Sequence, residues 1–384
     1  SSFAIFSDHP RLAVWTMHSR TPQFIPLLCN AEIASKILTG EALKEAWGMC
    51  QFCLGNVYHR RIKGEQAENL EKSLSYLHNA LKVHTREQFP ELWAEIQSNL
   101  VIAYGYRIRG DQVENAELAI KAGEAAMQVF TCDQSPEGWG KIQNNLGIVY
   151  RDRILGDKAE NLEKAIACYQ NALSIRTRED LRELWAQTQM NLASAYRHRL
   201  RGDAAENVEI AIAANQSALQ VYTKAAFPTN WAEVHINLAN AYLHRIHGDR
   251  SENLEKAIAA HKSALQVLTK DESPRQWAMT QLNLGNVLLM QQQIEEAITS
   301  YRSALKIFTP TAFPNECLKA GEMLGNTAFD IGDWAEAIRG YSVAIEAVET
   351  SRIWVISKSR RQEILANSLH IYQNLIQACI NNKR

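Results

Sequence analysis

Trp139-Gly-Lys-Ile-Gln-Asn-Asn-Leu146-Gly147-Ile-Val-Tyr150, running on into Arg153-Ile-Leu-Gly156-Asp157-Lys-Ala-Glu160-Asn161, decides the fold because the chain copies it. Trp47, Trp93, Trp139, Trp185, Trp231 and Trp277 stand 46 residues apart at every step. A core folded once has no reason to keep such spacing. One supersecondary unit is therefore repeated, each copy needing its neighbours to bury its apolar face.

Within a copy, Leu lies seven residues after the Trp (Leu54, Leu100, Leu146, Leu192, Leu238, Leu284) and Tyr lies eleven after the first five (Tyr58, Tyr104, Tyr150, Tyr196, Tyr242). These offsets share one helical face, so Trp, Leu and Tyr are expected to be buried together. Pro90, Pro136, Pro228, Pro274 and Pro314 mark first turns, where a missing N–H costs nothing. A first helix is expected from near the proline to a glycine (Gly64, Gly110, Gly156, Gly202 or Gly248) that supplies a left-handed C-cap. The following Glu-Asn pair places Asn161 and its equivalents as N-caps of a second helix. That helix carries Ala165 and Ala172, small enough for close helix approach, and ends near a recurrent Thr (Thr85, Thr131, Thr177, Thr223, Thr269).

Leu146-Gly147-x-x-Tyr150 with Ala165, Tyr169 and Ala172 resembles the tetratricopeptide repeat, with about six extra residues inside the pair and six between pairs. After Trp277 the spacing relaxes to the ordinary one, as in Leu324-Gly325, Ala337, Tyr341 and Ala344. The resemblance covers residues 40–349. It implies an all-α fold, a right-handed superhelical solenoid of antiparallel helix pairs whose first helices line a concave groove. The expected organisation is an N-terminal segment at 1–39 with a capping helix over Phe24 to Leu38, five long repeats at 40–276, two shorter ones at 277–349, and a linker and helix at 350–384.

Composition narrows the function classes. The chain has 41 Lys plus Arg against 42 Asp plus Glu, which argues against a dedicated nucleic-acid binder. Seven scattered cysteines read as reduced thiols in a cytoplasmic protein. No apolar run is long enough to span a membrane, and no leader peptide is expected. Cys50-x-x-Cys53 has no second pair nearby and reads as packed thiols, the histidines follow no ligand spacing, and no phosphate-cradling loop or nucleophile motif is present. No cofactor, metal or catalytic residue is expected.

Residues identical in every copy serve packing; residues that vary on the fixed frame are freer to serve a ligand. Arg61, Arg107, Arg153, Arg199 and Arg245 recur with acids close behind, which predicts an Arg–carboxylate ladder bracing the long turns, with a phosphate stripe as the rival. Asn99, Asn145, Asn191, Asn237 and Asn283 predict amide bonding between helices. The expected groove face varies, and its candidate binding residues are Asn56, Tyr106, Lys141, Asn144, Arg151, Arg197, His198, Asn240, His244 and Asn286. A carboxylate clamp would need Lys four residues before the shared Asn, where Phe52, Ile236, Leu282 and Glu322 stand instead. Such a mixed face suits a peptide or partner protein. Self-association of the scaffold is the alternative, polyanion binding a third. The Arg-Ile-x-Gly-Asp-x-x-Glu-Asn turns and the tail from Glu349 also resemble cyanobacterial repeat proteins with a caspase-like CHAT domain, which implies a sensing role within a larger protease.

Overall fold

A computed structural model describes residues 44–61, 64–354 and 357–383; the expected capping helix lies outside them. The described residues form fifteen α-helices and no strand. They fall into two compact units. The first, within Ser1–Ile175, holds α1 (Lys44–Arg60), α2 (Gln66–Leu81), α3 (Pro90–Gly105), α4 (Gln112–Met127), α5 (Pro136–Asp152) and α6 (Lys158–Ile175). The second, within Arg176–Arg384, holds α7 (Arg182–Arg197), α8 (Ala204–Leu219), α9 (Pro228–His244), α10 (Arg250–Ala264), α11 (Pro274–Met290), α12 (Ile294–Leu305), α13 (Pro314–Asp330), α14 (Trp334–Trp354) and α15 (Lys358–Asn381). Odd helices up to α13 are first helices and even ones second helices, each pair packed side by side. The all-α solenoid of antiparallel helix pairs is borne out.

Small residues set the packing distance. Ala119, Ala126, Ala165, Ala172, Ala211, Ala218, Ala257, Ala264, Ala297 and Ala304 are fully buried on the second helices. Gly147 on α5 faces Tyr169 so closely that an added Cβ would lie 2.5 Å from its ring. In the shorter repeats Gly285 and Gly325 receive Tyr301 and Tyr341 in the same way.

Three expectations need correction. The first helices stop short of the glycine: α5 ends at Asp152, while Gly156 adopts φ +83° in the turn beyond. The N-cap is the aspartate, whose backbone is extended: Asp111, Asp203 and Asp249 accept from the N–H of Glu114, Glu206 and Glu252, and the same bond joins Asp157 to Glu160. The asparagine instead ties down the turn, Asn115, Asn161, Asn207 and Asn253 donating to the carbonyls of Arg109, Leu155, Arg201 and His247. Lastly, the conserved-spacing tryptophans are only half-buried, and Leu rather than Trp fills the core. An amphipathic indole fits that edge, where Arg86 and Lys224 lie over the rings of Trp93 and Trp231.

The recurrent threonines begin the turn between repeats. Thr131, Thr223, Thr269 and Thr309 accept through Oγ1 from the N–H three residues on, just before the proline-led helix. In the turn after α11, Gln292 takes φ 60°, the conformation that Gly332 supplies in the next repeat. Gln292→Gly is therefore expected to stabilise the second unit by about 1 kcal/mol, read as a shift in its urea midpoint.

Candidate functional site

First helices of successive repeats touch one another, α1 with α3 and α3 with α5 in the first unit, α7 with α9 and α11 with α13 in the second. They form the inner row of each unit.

Along the inner row of the first unit three varying residues, Asn56, Glu95 and Lys141, join through the copied Asn99 in one polar chain. Lys141 on α5 donates to the Glu95 carboxylate and, at 3.0 Å, to Asn99 Oδ1 on α3. Asn99 Nδ2 donates at 2.6 Å to Asn56 Oδ1 on α1. Lys141 and Glu95 keep 34% and 36% of their side-chain surfaces exposed, so the row is within reach of a ligand. Asn144, by contrast, is buried and donates to Asn145, so its amide belongs to the packing layer beneath. At the far end of α5, Arg151 grips Asp152 through two bonds of 2.9 and 2.7 Å, with Tyr106 and Tyr169 in its electrostatic neighbourhood. The exposed Tyr106 ring lies 6.4 Å from that of His59. Burial, helped by Arg60, pulls the His59 pKa down to about 4 and keeps the ring neutral.

The inner row of the second unit holds Arg197, His198, Asn240, His244 and Asn286. His198 Nδ1 lies 2.8 Å from the Ser194 carbonyl oxygen. Burial, then Arg197 and Arg250, lower the His244 pKa. Asn286 accepts from the Tyr301 hydroxyl at 3.0 Å, and Asn326 from Tyr341 at 2.8 Å, so these amides are turned partly toward the second helices. In the third repeat Ile148 replaces that asparagine, and the buried Tyr169 hydroxyl has no partner.

The arginine ladder exists, but its acids come from the preceding repeat. Arg107, Arg153 and Arg245 each form two bonds to Glu71, Glu117 and Glu209, residues 36 positions earlier, and reach the turn asparagine with a third nitrogen. Their guanidinium groups are thus occupied in bracing one repeat against the next and do not form a phosphate stripe. A lysine cannot make this forked contact. Arg245→Lys is expected to cost about 1 kcal/mol, discounted for the partial exposure of Glu209, as a lowered denaturation midpoint.

Sequence reading overlooked Ile108, Ile154, Leu200 and Ile246, exposed at the same place in four long turns. Cys50 is half-buried and Cys53 exposed, not packed away as expected. Among the described residues no three His, Cys, Asp or Glu side chains gather to hold a metal, and no helix is long and apolar enough to cross a membrane.

Paired helices, Ala-lined contacts and the Gly–Tyr seats define an all-α helical-repeat protein that resembles the tetratricopeptide type. A tetratricopeptide repeat model matches residues 140–179, and a model described as soluble NSF attachment protein, SNAP, matches residues 200–360. No curated protein matches the chain. Similar solved structures include the TPR2AB-domain:pHSP90 complex of yeast Sti1 (15% identity, 87% of this chain and 99% of that one, TM-score 0.25). The apo form of RapI aligns at 15% identity over 94% and 98% with TM-score 0.48. Yeast Tom70 aligns at 14% identity over 88% and 65% with TM-score 0.40. At these scores the case for the fold rests on the helix packing described above.

Proposed function

We propose that the inner rows of first helices bind an extended peptide or a helix of a partner protein. The observation that carries this reading is the contrast between frame and face. Most copied residues are committed to caps, ladder and core, whereas the varying inner residues Asn56, Lys141 and Glu95 join through the copied Asn99 in a solvent-reachable chain. Amides offer donors and acceptors to a peptide backbone, and the mixture of charges selects side chains. Because Lys141 and Arg151 each sit beside a carboxylate, a polyanion is a poor match.

The test is a displayed random-peptide library panned on the full chain. Selected peptides should lose at least about tenfold in affinity for the Lys141→Glu variant or the Arg197→Ala/His198→Ala variant, with unchanged melting. Unchanged binding by both would reject the inner rows as the site.

A finer reading is that the repeats are the sensing part of a larger CHAT-type protease, at work in the cytoplasm. Its support is the Arg-Ile-x-Gly-Asp-x-x-Glu-Asn turn and the tail after Glu349. An antibody to the repeats should then detect a native product well above 43.4 kDa; a product of that mass would end the protease reading.

A further inference from the structure

One core position of the long repeats, 37 residues after each tryptophan, changes character in a single copy. It holds His84, Phe130, Tyr222 and Leu268, all buried. In the third copy it holds Arg176, which is 3% exposed. A guanidinium does not shed its charge as a buried histidine or lysine does. Burial lowers the Arg176 pKa from 12.5 to about 10, against a smaller opposing effect of Tyr222, so the group stays cationic at neutral pH.

A buried charge is ordinarily paired. Arg107, Arg153 and Arg245 follow that rule, each holding a glutamate between Nε and Nη2. Arg176 does not. Among the described residues its one hydrogen bond runs from Nη1 to Thr188 Oγ1, at 2.9 Å. Thr188 in turn donates to the Leu184 carbonyl at 2.8 Å, so it is a neutral clamp that brings no charge. The Tyr222 hydroxyl donates to the Glu183 carbonyl at 3.0 Å, and burial raises its pKa, so it too stays neutral. The carboxylates of Glu183 and Glu233 act on Tyr222 and not on Arg176.

These residues all belong to the second unit. Thr188 stands where other copies carry Ile96, Ile142 and Val234, so cation and clamp both occupy places that are apolar elsewhere. The edge of the guanidinium formed by Nε and Nη2, the one through which the ladder arginines hold a carboxylate, is left without a protein acceptor. Unlike the sealed Nε of Arg352, it keeps a narrow opening to solvent.

We propose that Arg176, held by Thr188, is a binding site for one small inorganic anion of halide size, represented by chloride. A monoanion matches the single charge to be neutralised, and two parallel N–H groups on one edge suit it. The narrow opening excludes a peptide carboxylate with its attached chain. The site is separate from the inner rows and stands or falls independently of them.

The test uses the full chain in sodium chloride, exchanged for sodium gluconate at constant ionic strength. The chain should broaden the chlorine-35 NMR line saturably, and its urea midpoint should rise with chloride, because a ligand of the folded state stabilises that state. Arg176→Leu installs the residue that the fifth copy carries as Leu268. It should cut the broadening at least about tenfold and remove the chloride dependence of the midpoint, with unchanged circular dichroism. Thr188→Val, which loses only the clamp, should weaken chloride binding at least about threefold. Arg178→Leu, at an exposed position, should change neither readout. No saturable broadening, broadening that Arg176→Leu retains, or a midpoint indifferent to chloride would overturn the site and leave hydration as the only compensation of the charge. Acetate that displaces chloride with equal affinity would also overturn it, since the ligand would then be a carboxylate.

Discussion

Gly340→Ala is expected to destabilise the second unit by about 3 kcal/mol or more, although Gly→Ala inside an ordinary helix stabilises by about 1 kcal/mol. A Cβ at Gly340 would lie 2.4 Å from the Gly325 nitrogen, 2.7 Å from the Gly321 carbonyl oxygen and 2.8 Å from the Gly325 Cα. All three are backbone atoms of α13, so no rotamer change relieves the overlap and α13 must part from α14. That separation unseats Tyr341 from Gly325 and loosens the packing of Leu324, Ala328, Ala337 and Ala344. Stability in a solenoid is nearly a sum over neighbours, so the loss should concentrate in the last helices. Amide exchange of α13 to α15 should speed up while α7 to α9 change little. Gly105→Ala is the control: its Cβ would meet only Val149 Cγ2 at 3.1 Å, beside an exposed backbone.

The second large effect is acid sensitivity above the range in which carboxylates titrate. His261 is fully buried on α10, and burial lowers its pKa from 6.5 to about 4. Its Nδ1 has no hydrogen-bond partner. Between those two pH values the unfolded chain binds a proton that the folded chain does not. The contribution is therefore complete above pH 6.5 and is lost as pH falls toward 4, by about 3 kcal/mol at most. His59, lowered to about 4 by burial and then Arg60, adds the same sign in the first unit. The ladder acids Glu71, Glu117 and Glu209, held low chiefly by hydrogen bonds from their arginines, contribute stability that goes only below the ordinary carboxylate value of 4.5. Denaturation midpoints of the second unit should thus fall from pH 6.5 to 5, and His261→Asn should flatten most of that slope. Asparagine is the residue the preceding repeat carries there, opposite the same alanine. An equal slope in the variant would assign the sensitivity elsewhere.

The frame was legible because each copy solves the same packing problem: Leu, Ala and the turn glycines recur at fixed offsets and occupy the same places in every pair. What was misread depends on partners that spacing alone does not reveal. Asp111 and Asn115 are both competent caps, and only the Asp-x-x-Glu spacing hinted that the acid caps the helix. Glu71 lies 36 residues before Arg107, a distance bridged by stacking one pair on the next. The offsets that select an inner row gave Asn56 and Lys141 their neighbours, yet they do not measure depth, so Asn144 was grouped with them although it is buried.

The most direct test of peptide or protein binding on the inner rows is site-specific photo-crosslinking of the full chain in its native cells. A benzophenone side chain would replace Tyr106, which is exposed on the inner row, or Lys121, which is exposed on the second helix α4. The account predicts one dominant adduct from position 106, lost on Lys141→Glu, and none of the same mass from position 121. The same adduct from both positions, or adducts from 121 alone, would contradict it.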